Sequence, residues 1–301
     1  MTETGGRRTA THNGTKTMTD STARPSRFFS DNPDKAWAEK LFLGFIPVWF
    51  VFNVVVQAMG WLNTGNFWNI TQNLLMWIPY CVLLPAFLRR NSGIPWHQSY
   101  WFKFNLFIFV WTFFATYFHT EYFFQVLGMR YRFPEVTLYL DSALCGPDEI
   151  SALATHQKIP PSMYLNATAF FMVYHASAVV AMRAVRSFTT GLGELAGKFA
   201  WAGIVALTAI FWAWGETAFY FQLAPNDGAN VWYEDLPKMI AHGSWFYSLY
   251  FIVSFPIVYR LDERREAERW PLSRVVIEAC AVGMVTLLFI DLATWYVGGK
   301  L

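Results

Sequence analysis

YWFKFNLFIFVWTFFATYFHTEYFFQVLGMRYRFP, residues 100–134, decides how the chain is read. From Trp101 to Leu127 it is almost wholly aromatic and aliphatic, long enough as a helix to cross the apolar core of a bilayer. Set into it are Asn105, Tyr117, His119, Glu121 and Gln125. A carboxylate inside a membrane span costs at least about 2.5–3.5 kcal/mol on insertion scales, so an acidic residue there marks a function by default. Residues four apart share a helix face, which puts Tyr117, Glu121 and Gln125 in one row and turns His119 elsewhere. The rest of the chain is expected to build a pocket around this helix.

Outward from that stretch the character persists. Only 15% of the 301 residues are charged, against about 25% in ordinary domains, while 54% are hydrophobic. An integral membrane protein follows: all-α, a polytopic helical bundle of about seven transmembrane helices. The runs are 41–60, 70–88, 101–127, 163–182, 199–223, 239–260 and 275–297. The first two are expected to form a hairpin around the charge-free linker 61–69. Pro47, Pro79, Pro85 and Pro256 read as kinks. Residues 1–36 read as a disordered polar tail before a transmembrane domain over 37–301, with a surface helix starting between Pro33 and Lys40.

Of the 23 basic residues, 18 fall in the tail, around 89–103, in 183–198 or in 260–274. The other five are Arg130, Arg132, Lys158, Lys238 and Lys300 on the opposite side. The positive-inside rule therefore puts the amino terminus in the cytoplasm and the carboxyl terminus outside. RLDERREAERWPLSR, 260–274, reads as a solvated cytoplasmic turn. The 129–161 loop, with Asp141, Cys145 and Pro160-Pro161, is extracytoplasmic, either a cap over a pocket or a plain connector.

Several chemistries are excluded. The net charge of +2, without a basic patch interleaved with aromatics, argues against nucleic acid. Cys81, Cys145 and Cys280 form neither a CxxC motif nor a disulfide framework. The six histidines make no HxxH, HxxxH or HxxHH box, which argues against a di-iron oxidase and a zinc site. GLGELAG at 191–197 is not a dinucleotide loop, and the last apolar run has no Lys for a retinal Schiff base. What is left is acid–base chemistry in an aromatic membrane cavity, with no metal and no redox cofactor.

Depth sorts the candidate groups. At 1.5 Å per residue, Glu121 lies about 9 Å from the outer end of its span, Glu216 about 10 Å and Asp291 about 9 Å. Three carboxyl groups are thus expected to converge on one layer, with Tyr174 and His175 beneath them near mid-membrane. Glu121, Glu216, His175 and Tyr174 are the catalytic candidates; Tyr117, His119, Asn105, Trp212 and Asp291 are the substrate-binding ones. Glu278 reads instead as an interfacial ion pair.

YWFKFNL (100–106), YFHTEYFFQVLGMRYRFP (117–134), FMVYHAS (171–177), GET (215–217), YFIVSFPIVYRLDE (250–263) and LSRV (272–275) resemble the cycloeucalenol cycloisomerase family. The likeness runs from about residue 37 to 296. In the family's pattern a Trp stands where His119 does here and a His where Glu121 does, and the 135–161 loop is longer here. The resemblance implies an intramolecular lyase that opens the 9β,19-cyclopropane of a sterol, of the cycloeucalenol-to-obtusifoliol type, and leaves a Δ8 double bond. A general acid protonates C19, positive charge develops near C9, and a base removes the C8 proton. It implies a sterol substrate in membrane lipid, no cofactor, and a bacterial inner membrane or endoplasmic reticulum location. A Δ8–Δ7 sterol isomerase and a non-catalytic sterol-binding or transport protein are the alternatives.

Overall fold

A computed structural model describes residues 27–140, 158–223, 228, 230–264 and 268–298. Six helices are long and apolar enough to cross a membrane: α1 (Pro33–Ala58), α2 (Asn66–Leu88), α3 (Tyr100–Gln125), α4 (Pro161–Phe188), α5 (Glu194–Leu223) and α7 (Leu272–Val297). The expected span at 239–260 is helical too, as a π turn, Met239–Gly243, running into α6 (Ser244–Arg260). It falls short of the others in apolarity because it carries Ser244, Ser248, Ser254, Tyr247, Tyr250 and Tyr259. All six are buried, so α6 presents these groups to protein and not to lipid.

The hub is α4, not the α3 stretch that the sequence puts at the centre. Of its apolar window 67% is buried, against 56% for α3 and 11% for α5, and it packs on α1, α2, α3, α5 and α6. Ala169, Ala176 and Ala178 are buried along it, and small side chains let neighbouring helices approach closely.

Besides the π turn before α6, π turns break helical register within α2 and α3. In α2, Pro79–Leu83 precedes Pro85, which has no N–H for the Cys81 carbonyl. Asn105 of α3 donates to that carbonyl at 2.9 Å instead, and to the Trp101 carbonyl at 2.7 Å, while its Oδ1 accepts the Trp77 indole N–H at 3.0 Å. In α3 the π turn is Ala115–His119.

At one end of the bundle, β1 (Met129–Arg132) pairs antiparallel with β2 (Asn230–Tyr233), with Met129 opposite Tyr233 and Arg132 opposite Asn230. Gly128 turns the chain into β1 with φ 69°, and a Cβ there would meet the Glu234 side chain at 3.4 Å. The first part of the 129–161 loop thus becomes a strand; Asp141 and Cys145 lie outside the described residues. Pro160 and Pro161 start α4.

The other end is ionic. Lys35 is fully buried and donates to the carbonyls of Tyr259 (2.8 Å) and Leu261 (2.6 Å), satisfying acceptors that the C-terminus of α6 leaves without an N–H partner in the helix. Lys35 also pairs with Glu263 at 2.9 Å, and Arg183 bridges Glu263 (2.7 Å) and Glu39 (2.6 Å). Lys103 meets Asp262 at 2.6 Å and Arg89 meets Asp34 at 2.9 Å. The 260–274 turn therefore differs from a solvated loop at its start: Asp262 and Glu263 fold back under the helices to meet these cations. Residues 27–36, read as part of the tail, also pack here, with Ser30, Asn32, Asp34 and Lys35 buried. Residues 1–26 lie outside the described residues. Glu278 pairs with Arg274 at 3.3 Å on the surface, as its sequence position suggests.

Candidate active site

Under the β1–β2 pair, α1, α3, α4, α5 and α6 leave a cavity of about 140 Å³. Its wall is largely aromatic, with Phe123, Phe170, Phe171 and Phe221 alongside Tyr131, Tyr220, Tyr233, Tyr247 and Tyr250. Among the described residues that line it, Glu216 alone carries a carboxyl, and no Lys, Arg or His lines it.

Glu216 is carried on α5 by the sequence GETAFY. The Tyr247 hydroxyl donates to its Oε2 at 2.5 Å. The Tyr174 hydroxyl lies beside the same carboxyl but meets no partner at hydrogen-bond geometry. Its ring stacks on Trp212 at 4.6 Å, which fixes its orientation. Burial, together with the charge of Glu216, pushes the Tyr131 and Tyr233 hydroxyls on the strands well above the usual tyrosine value, so both stay neutral. A carboxyl proton in such a place faces hydroxyl groups that can stabilise its anion and ring faces that can stabilise a cation. Aromatic faces contribute about 2 kcal/mol or more to a desolvated cation.

The other expected site residues lie elsewhere. From α3, the cavity receives Ala115, Thr116, Thr120 and Phe123; Tyr117, Glu121 and His119 are not in its lining. Thr116, Thr120 and Phe123 form the row that faces the cavity, and the row Tyr117, Glu121 and Gln125 beside it turns away together. Glu121 accepts from Gln125 at 3.2 Å, Tyr117 stacks on Phe113, and Asp291 is exposed and accepts from the Tyr122 hydroxyl at 3.0 Å. The three carboxyl groups therefore do not share one site.

His175 has both ring nitrogens occupied. Its Nδ1 lies 2.7 Å from the Phe171 carbonyl, which can only accept, so Nδ1 carries the proton and Nε2 accepts from Ser254 Oγ at 2.8 Å. His119 is buried between the Trp111 and Tyr250 rings, its Nδ1 without a partner. Asn105 has its amide committed to α2 and α3, as above. Among the described residues, no three His, Cys, Asp or Glu side chains come together.

Sequence reading missed Tyr220, Tyr247, Tyr250 and Gln57 as lining residues. Tyr220 was open to it, because it stands four residues after Glu216 and shares its face. Gln57, an amide in the apolar run VVVQAMG, was open to it on the same grounds as Glu216.

No family model matches the chain, and no solved structure matches it. Among curated proteins, the chain is 29% identical over 279 residues to the cycloeucalenol cycloisomerase of Arabidopsis thaliana, covering 91% of this chain and 90% of that relative.

Proposed function

We propose, from the membership of the cycloeucalenol cycloisomerase family that this similarity supports, that the chain is a sterol isomerase acting on 9β,19-cyclopropyl sterols within the membrane. The observation that carries the reading is Glu216, a lone carboxyl in an aromatic cavity with the Tyr247 hydroxyl on its Oε2.

In this proposal the Glu216 O–H delivers its proton to C19 as the C9–C19 bond breaks. The electron pair of that bond forms the new C–H bond of the 19-methyl group, and positive charge is left at C9. The surrounding rings and tyrosine hydroxyls stabilise the cation and the new carboxylate. Loss of the C8 proton then leaves its electron pair as the C8–C9 double bond. The carboxylate just formed is the strongest base in the lining, so one group serves as acid and then as base. Atoms and charge balance with no oxidant or reductant. A positioned acid or base contributes about 10²–10⁴-fold to such a step.

The test is incubation of membranes containing the protein with a 9β,19-cyclopropyl sterol in deuterated water, with no nucleotide, flavin or metal added. The expected product is the Δ8 isomer with solvent deuterium in its 19-methyl group. A strict need for a nicotinamide nucleotide, loss of activity on chelation, or saturable binding with no deuterium incorporated overturns the proposal. Consumption of a Δ8 sterol in place of the cyclopropyl one moves the chemistry to double-bond migration.

A further inference from the structure

Gln57 near the end of α1 and Tyr220 on α5 meet across the cavity wall, the Gln57 side-chain amide donating to the Tyr220 oxygen at 2.9 Å. Both line the same cavity as Glu216. With its oxygen accepting from Gln57, Tyr220 still has its own O–H to donate, and Gln57 still has a carbonyl oxygen to accept. One donor and one acceptor side by side are the complement of an alcohol, which accepts through its oxygen and donates through its hydrogen.

Tyr220 lies four residues beyond Glu216 on one helix, so the two side chains share a face and enter the same cavity one turn apart. We infer that Gln57 and Tyr220 form the binding pair for the substrate's 3-hydroxyl and set the register that brings the cyclopropane to Glu216. The inference rests on the proposed sterol chemistry and adds the anchor that chooses among sterols. The other two lining amides donate elsewhere, Asn53 to the Trp49 carbonyl at 2.8 Å and Asn166 to Asn73 Oδ1 at 3.0 Å, so the amide–hydroxyl pair is particular to Gln57 and Tyr220.

The test compares a 9β,19-cyclopropyl 3-hydroxysterol with its 3-deoxy counterpart on the full chain in detergent. The readouts are the sterol-induced rise in Tm and kcat/KM. The wild type is expected to favour the hydroxysterol by about 10-fold or more, because a site built to bond a hydroxyl leaves buried polar groups unpaired against the analogue. Tyr220→Phe and Gln57→Leu are each expected to reduce that preference to within about 3-fold. Gln57→Met keeps the side chain's length if the leucine variant folds poorly. Equal stabilisation of the wild type by both sterols overturns the inference, and so does an undiminished preference in both variants. Absence of turnover with every cyclopropyl sterol refutes the proposed reaction, while the Tm comparison still decides the hydroxyl site.

Discussion

Glu216→Gln keeps the shape of the side chain and an acceptor for the Tyr247 hydroxyl, and removes the one carboxyl proton in the cavity lining. Turnover is expected to fall by about 10²–10⁴-fold. Sterol-induced stabilisation should change little, since most affinity for a sterol comes from apolar burial at about 25 cal/mol per Å². The same change at Glu121 is expected to cost much less; equal losses in the two variants would return the acid to α3. The two glutamates show how far residue-scale reading reaches. Both were visible as acidic residues in apolar runs, because the cost of insertion is written in composition. Which of them faces the cavity was not, because a helix apolar on every side does not say which of its rows turns inward: Thr116 and Thr120 do, Tyr117 and Glu121 do not. Glu216 was followed by a regular turn, and its face-mate Tyr220 does line the cavity.

At the scale of elements, polar side chains within the spans divide into those that face the cavity and those that stitch helices together. Asn105 belongs to the second group, supplying the donor that Pro85 withholds from Cys81. His175 does too, joining the Phe171 carbonyl of its own helix to Ser254 of α6. His175→Ala is expected to lower the melting temperature in detergent by removing a buried ring and leaving Ser254 without its partner, a loss of about 3 kcal/mol. The protein that survives should turn over at a rate near that of the wild type. A normal melting temperature with turnover abolished would instead make His175 part of the chemistry. The helical bundle was legible from apolar runs alone, and 239–260 is helical, but six helices and not seven are long and apolar enough to cross, and α1 begins at Pro33, ahead of the apolar run at 41–60. The hub was not, because runs report contact with lipid or protein alike, whereas the small residues of α4 report close approach.

Across the whole molecule the two ends have different physics: an ionic layer closes one, and the cavity lies toward the other, beneath β1–β2. Neither the layer nor the strand pair was legible in the sequence. Asp262 and Glu263 find Lys103, Lys35 and Arg183 only once helices far apart in the chain are assembled. Burial opposes ionisation of Glu263, but the hydrogen bond from Arg183 and the charge of Lys35 outweigh it and hold its carboxyl below the usual value. Its contribution is therefore present above the unfolded-state value of about 4.3 and is lost as pH falls through the lower folded one. Melts in detergent should show an acid limb that Glu263→Gln flattens; an unchanged limb would assign the acid sensitivity to other groups. The same layer bears on orientation. Lys35, Arg89, Lys103 and Arg183 lie at this end together with the Asp262–Glu263 turn, and each belongs to the group of 18 basic residues that the sequence sets against five. Buried cations are neutralised locally, but the chain must be oriented before the layer can form, and the positive-inside bias acts at that stage. If α6 crosses together with those six helices, an amino terminus in the cytoplasm leaves the carboxyl terminus and the cavity end on the opposite side. A reporter that is active only outside the cytoplasm, fused to the carboxyl terminus, is expected to be active. The same reporter fused within 183–198, between α4 and α5, is expected to be silent. Activity at both positions, or a cytoplasmic signal at the carboxyl terminus, would mean that one of the seven does not cross, and α6, which owes its burial to its neighbours, would be the first to re-examine.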